Sequence, residues 1–243
     1  MKGDIVSRSE LSEEAQADMY ALFASQFSGV SAAEFLRDLD DKNWVLLLRR
    51  DDGALAGFSS MHVYKTAVGG REMTIVYSGD TVVDVSTWGD SALSYYWMGA
   101  IDFLQRHYET DRLYWFLLVS GYRTYRFLPV YSDFFYPRYD EPTPPEVQEI
   151  MDTLARERFG ERYDAESGIV KVRAPATLKG ELSGIPDHRL SDPHIAFFAA
   201  RNPGHEQGDE LVCFSVLAED KLTRLGKRMW RKGRKLMAVR NSE

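Results

Sequence analysis

The residues whose types and spacing best suit chemistry are Ser86-Thr87-Trp88-Gly89-Asp90-Ser91. They lie between a β-rich run, Thr74 to Val85, and an amphipathic stretch in which Leu93, Trp97, Ala100, Ile101 and Leu104 recur at helical spacing. The first N–H groups of such a helix have no acceptor inside it, and a phosphate is the ligand that this terminus favours. The segment therefore reads as an anion cradle, although many strand–turn–helix units bind nothing. Asp90 opposes an anion unless its carboxylate turns back onto the helix as an N-cap. Cys213 is the single cysteine and lies inside the apolar run ELVCFSVL, which reads as a buried small hydrophobe rather than a nucleophile. With no HExxH motif and no spaced Cys/His cluster, metal catalysis is not expected.

The elements that must position the cradle can be read in order. Lys2 to Ser7 predicts a short first strand, Ser12 starts a helix, and Ser31 with Glu34 predicts a capping box at the start of a second. Residues 43–50 and 54–68, joined by Asp51-Asp52-Gly53, read as a hairpin. Gly69-Gly70 returns the chain into the run ending at Val85, with Ser78-Gly79-Asp80 as a bulge, so three strands form a meander. Leu113 to Ser120 reads as a buried strand, and residues 121–137 as a covering helix with Pro129 in its first turn or at a kink. Glu146 to Phe159 predicts a helix, and residues 168–173 and 210–217 predict closing strands. Between those strands, residues 174–209 are too long for a hairpin loop and read as an inserted helical lid over the acceptor side.

The 243 residues, 44% hydrophobic and 13% aromatic, can hold one large core. The polar start and the absence of a long apolar run predict a cytoplasmic protein without a transmembrane segment. The charge of −7 is uneven: residues 221–243 carry +8 and the remainder −15. A basic helix over 219–238 therefore either packs a solvated face on an acidic body or meets a polyanionic partner through Trp230 and Met229. So acidic a body makes nucleic acid an unexpected partner.

This order of elements resembles the GNAT superfamily of acyl-CoA N-acyltransferases, as a divergent member, over residues 5–140. The family's pyrophosphate loop falls on Ser86 to Ser91, where Gly89 matches and Ser91 is a small substitute. Its later motif falls on Thr124, Phe127, Tyr131 and Tyr136, where only the tyrosine at 131 is kept. The resemblance implies a single α+β domain: a mixed, mostly antiparallel sheet with helices on both faces, extended by the insertion and the basic helix.

It also implies transfer of an acyl group from acetyl-CoA or another acyl-CoA to a small-molecule or amino-acid-like amine. Val83, Val85, Ser86, Thr87, Trp88, Gly89, Asp90 and Ser91 are then the cofactor contacts, and the strand splays at Val83 to Val85, where peptide N–H groups would polarise the thioester. The departing thiolate needs an acid, which the resemblance places at Tyr131. The protonated amine needs a base, for which Asp84 is the candidate, with Asp80 and His62 as rivals. His62, Tyr77 and His194 are the expected substrate contacts. Asp90, and Ser86 in place of a longer side chain, weaken a diphosphate site. Two alternatives therefore stand beside CoA: the phosphopantetheine arm of an acyl carrier protein as donor, or a noncatalytic module that grips a polyanion. Oligomeric state is not legible.

Overall fold

In the computed structural model, residues 1–87, 89–172, 177–179 and 184–238 are described. The chain forms β1 (Lys2–Ser7), α1 (Glu13–Gln26), β2 (Phe27–Ser28), α2 (Ala32–Asp40), β3 (Trp44–Arg49), β4 (Leu55–Val68), β5 (Arg71–Val83), α3 (Ala92–His107) and β6 (Leu113–Val119). There follow α4 (Tyr122–Tyr125), α5 (Phe127–Tyr131), β7 (Phe135–Tyr136), α6 (Pro145–Phe159), β8 (Tyr163–Asp164), β9 (Ile169–Val170), β10 (Thr177–Leu178), α7 (Pro193–Arg201), β11 (Glu210–Leu217) and α8 (Arg224–Ala238).

The main sheet runs β1-β3-β4-β5-β6-β11-β9-β8, with β7 also on β11. Every pairing in it is antiparallel except β5 with β6. This is the mixed sheet and element order that the GNAT resemblance implies. Local chemistry sets the first helices: Ser12 Oγ accepts from Ala15 N at 3.1 Å, and Ser31 and Glu34 close their capping box.

Helices cover both faces. One face packs α3, α4, α5, α7 and α8 on Leu46, Met61, Val76, Trp115, Leu117 and Cys213. The other carries two groups side by side, α1 and α2 over Val45, Leu47, Phe58 and Val82, and α6 over Ile75, Tyr77, Phe116 and Phe214. Burial pushes the Cys213 thiol well above its ordinary value, which suits a core residue.

Four expectations change. The covering helix over 121–137 is broken at Arg126 into α4 and α5, with Pro129 in the first turn of α5, where its missing N–H is tolerated. The strands β5 and β6 pair only from Ile75–Tyr114 to Ser78–Leu117, so they part at Gly79, ahead of Val83. In the insertion, β10 pairs with β2, while α7 packs Phe198 against Tyr125 of α4, with ring centroids 5.6 Å apart. That helix is a core element on the face opposite α1 and α2 rather than a lid. Lastly, Met229 and Trp230 are buried under α8 and cannot reach a partner. Among the described residues no helix is long and apolar enough to cross a membrane.

Candidate functional site

The site begins with a defect in the sheet. Ser59 pairs with Thr81 and Met61 with Ser78, leaving Gly79 and Asp80 opposite Ser60 alone. This bulge, anticipated at Ser78-Gly79-Asp80, shifts the alternation of β5, so that Tyr77 before it and Val82 after it face the same side. A Cβ on Gly79 would sit 2.5 Å from Lys42 Cε and 2.7 Å from Ser60 Oγ, so a larger residue there would have to displace both side chains.

A cleft of about 780 Å³ passes through the gap where β5 leaves β6. Phe23, Phe35 and Asp38 line it on one face of the sheet, and Ser94, Trp97 and Tyr131 on the other. Thr87, Gly89, Asp90 and Ser91 line its mouth at the start of α3. Gly89 has φ +99, a conformation that suits glycine, and Asp90 Oδ1 accepts from Ala92 N at 2.9 Å. Asp90 is thus turned back onto the first helical N–H from one residue ahead of the N-cap, Ser91, whose own side chain makes no capping bond. The N–H groups of Leu93 and Ser94 find no acceptor among the described residues, so the helix end keeps its anion-binding donors. Trp88 lies outside the described residues.

Tyr131 sits mid-cleft, 2% exposed, its ring stacked on Trp97 at 5.6 Å and on Phe127 at 5.5 Å. Burial raises its hydroxyl, which also bonds Ser94. Trp115 donates Nε1 to Ser78 Oγ at 2.9 Å, fixing the last paired residue before the gap.

At the far end the cleft is acidic. Tyr77, Asp80 and Glu210 line it with Asp38 of α2. Lys42, its side chain fully buried, is tied to Asp38 at 2.7 Å. The side chains of Asp80 and Glu210 have no ion pair or hydrogen bond among the described residues. Burial and then the Asp38 carboxylate push Asp80 up to about 7. Burial, followed by Asp80 and Asp38, pushes Glu210 up to about 8. Arg158 lies over the Tyr77 ring, 3.9 Å from its centroid, and burial raises the Tyr77 hydroxyl.

Other sequence candidates lie elsewhere. Asp84 is outside the cleft lining: it accepts from Ser86 N (2.8 Å) and Ser86 Oγ (2.6 Å), and meets Arg50 at 3.1 Å. The Ser86 bonds, more than Arg50, hold its carboxyl below the usual range, which is unfit for a base near neutral pH. Ser86 is itself held by Arg50 at 2.9 Å, and Val85 is 47% exposed; neither lines the cleft. Val83 does line it. The Asp84 N–H is used on Ala56 O, and Val83 O accepts from Gln26 Nε2 at 2.6 Å. His62 stands behind Tyr77 in register, its Nδ1 3.3 Å from Arg158, and burial lowers its pKa. His194 is on α7 between Phe135 and Tyr139, away from the cleft.

The residues missed from sequence are Glu210, Asp38 and Lys42. The one signal for Glu210 was a carboxylate opening an otherwise apolar strand. Alternation with Val212, Phe214 and Val216 then puts it on the acidic side.

No protein-family model matches the chain, and no curated relative does. Solved structures do resemble it in fold. A conserved protein of Enterococcus faecalis described as a probable N-acyltransferase is 14% identical, covering 56% of this chain and 34% of its own, with TM-score 0.39. A GNAT family N-acetyltransferase of Escherichia coli, solved in complex with CoA, is 18% identical, covering 47% and 62%, with TM-score 0.36. An acetyltransferase of Trypanosoma brucei is 14% identical, covering 59% and 98%, with TM-score 0.39. This chain therefore spans about a third of the Enterococcus protein. At such scores and identities these neighbours define no activity for it.

Proposed function

We propose that the protein is an N-acyltransferase that moves an acyl group from a phosphopantetheine thioester to an amine. The observation that carries this reading is the cleft itself, which joins the anion-binding start of α3, through the gap between β5 and β6, to the acidic pair Asp80 and Glu210. A pantetheine arm entering from the α3 side would place its thioester beside Tyr131. The amine would enter from the α1 and α2 side.

The residues suit those roles. Asp80 or Glu210, titrating near neutrality, takes the proton of the ammonium. The amine nitrogen attacks the thioester carbon, the C–N bond forms, the C–S bond breaks, and the nitrogen's surplus proton passes to the departing sulfur, which leaves as the thiol. Tyr131 remains protonated and donates a hydrogen bond to the sulfur. Full transfer from it is not required, because a thiolate with an ordinary pKa of about 8.5 is a competent leaving group. Asp84 is replaced in this scheme by the Asp80 and Glu210 pair.

CoA fits the Leu93 and Ser94 N–H groups. A carrier-protein arm, with one phosphate, meets less opposition from Asp90 and needs no long side chain at Ser86, and the exposed cations of α8 favour an acidic carrier. The test is release of free thiol from acetyl-CoA in the presence of primary amines. Tyr131→Phe is expected to lower kcat by roughly 10²-fold with little change in donor affinity, as for a group acting in the transition state. Unchanged turnover would remove Tyr131 from the reaction, and no thiol release from any acyl donor would overturn the function.

A further inference from the structure

The acidic end of the cleft specifies more than a base. A single carboxylate suffices to deprotonate an amine, yet three carboxyls, Asp38, Asp80 and Glu210, face the same space. Among the described residues only Asp38 of these has an ion-pair partner, Lys42, and that ammonium is withdrawn behind the lining with its second bond on Asp38 O at 2.8 Å. Arg158 is engaged by Tyr77 and His62 and does not line the cleft. Arg123, the one arginine of the lining, belongs to α4 on the opposite face. An acceptor carrying a carboxylate would therefore meet like charge at this end and, among the described residues of the lining, find no cation to receive it. Next to the acids, Phe23, Phe27, Val30 and Phe35 of α1, α2 and their junction supply an apolar wall.

We infer that the acceptor is a linear alkyl diamine or polyamine, whose ammonium groups are taken by Asp80 and Glu210 and whose methylenes lie on the wall of Phe23, Phe27, Val30 and Phe35. Two carboxyls that line the same end of one cleft are relieved of their repulsion and desolvation by a ligand with two positive charges, whereas a monoamine relieves one. One ammonium is held as the cation, and the other yields its proton to the neighbouring carboxylate before its nitrogen attacks the thioester carbon. The amide and the free thiol leave, and the carboxylate returns the proton to water. This deepens the acyltransferase reading of the same cleft and rests on it for the transfer step alone, since the binding of a dication does not require it.

The test is calorimetric titration, without any acyl donor, of the full chain with 1,4-diaminobutane, spermidine, n-butylamine and glycine. Diaminobutane and spermidine are expected to bind at least roughly tenfold more tightly than butylamine, with glycine not binding, the scale set by one desolvated charge pair. Asp80→Asn and Glu210→Gln, near-isosteric and checked for retained melting, are each expected to erase that preference. Equal affinity for butylamine and diaminobutane, or tighter binding of glycine, would overturn the inference even if thiol release proceeds. Preferential diamine binding without thiol release from any acyl donor would uphold the diamine site and overturn the acyltransferase reading.

Discussion

At the scale of single residues, Asp80 and Glu210 are stability elements with an inverted sign. Their folded pKa values, about 7 and about 8, lie above the ordinary 3.8 and 4.5, so the folded protein binds more protons than the unfolded chain between those limits. Stability from this pair is full below about pH 4 and is lost as pH rises through 7 and 8. The charged groups that act on the pair are Asp38, which raises both, Lys42, which lowers Asp80, and Arg162, which lowers Glu210. His62 and His194, whose pKa values burial lowers, oppose the trend below about pH 6.5, so the difference between variant and parent is the measurement that isolates the carboxyls. Glu210→Gln is expected to melt several degrees above the parent at pH 8.5 and to lose that advantage at pH 5, since about 1 kcal/mol moves Tm by roughly 2–4 °C in a chain of this size. A constant offset across pH would show that Glu210 is not buried as a charge-shifted acid. Glu210 was not legible in sequence, because its partners come from β5 and α2, far along the chain, and no local pattern brings them together. Asp80 was legible only as a rival to Asp84. Asp84 is held instead by Ser86, two residues on, whose N–H and hydroxyl both donate to its carboxylate.

At the scale of elements, what could be read locally was read. Ser12, the Ser31 and Glu34 box, the Asp51-Asp52-Gly53 turn and the bulge at Gly79 all act within a few residues of where they stand. The break at Arg126 was signalled only by Pro129, and the parting of β5 from β6 falls at the anticipated bulge, but whether a kink becomes a break or a bulge opens a gap depends on what packs against them. The same holds for the meeting of α3 with α8. A Cβ on Gly233 would lie 2.1 Å from Tyr95 O and 2.6 Å from Gly99 N, both backbone atoms that cannot move aside. Beside this contact, the buried Asp102 accepts from Trp230 Nε1 at 3.0 Å and from Arg234 Nε at 2.7 Å. Gly233→Ala must therefore push the helices apart and strain those bonds. It is expected to cost about 1–3 kcal/mol in urea unfolding, the usual scale of overpacking. Gly121→Ala, with open space around its Cβ and no positive φ, is the matched control and should be near neutral. Equal midpoints for the two would refute the close crossing.

At the scale of the whole molecule, the unevenness of charge is a question about the donor. Trp230 pairs with Asp102 and Gly233 with Gly99 and Tyr95, so α8 runs antiparallel to α3 and its later residues point toward the cradle. Arg231 is paired with Glu219 and Arg234 with Asp102, and Lys232 lies over the Tyr95 ring. Arg224, Arg228 and Lys235 are exposed, with no ion pair among the described residues. Because α8 contributes Trp230 and Met229 to the core, deleting it would test folding rather than recognition. Reversing charge at Arg224, Arg228 and Lys235 leaves the packed face intact. An acidic acyl carrier protein steered by these cations would associate more slowly with the reversed variant, and with the parent once salt screens charges beyond about 10 Å at 0.1 M. Acyl-CoA, held by the start of α3, would be affected much less. The expected outcome is a selective fall in kcat/KM for acyl carrier protein, on the order of tenfold at low salt and vanishing at high salt. Equal rates from both donors, unchanged by the reversal and by salt, would make acyl-CoA the donor and leave the basic face of α8 as the solvated side of a core helix.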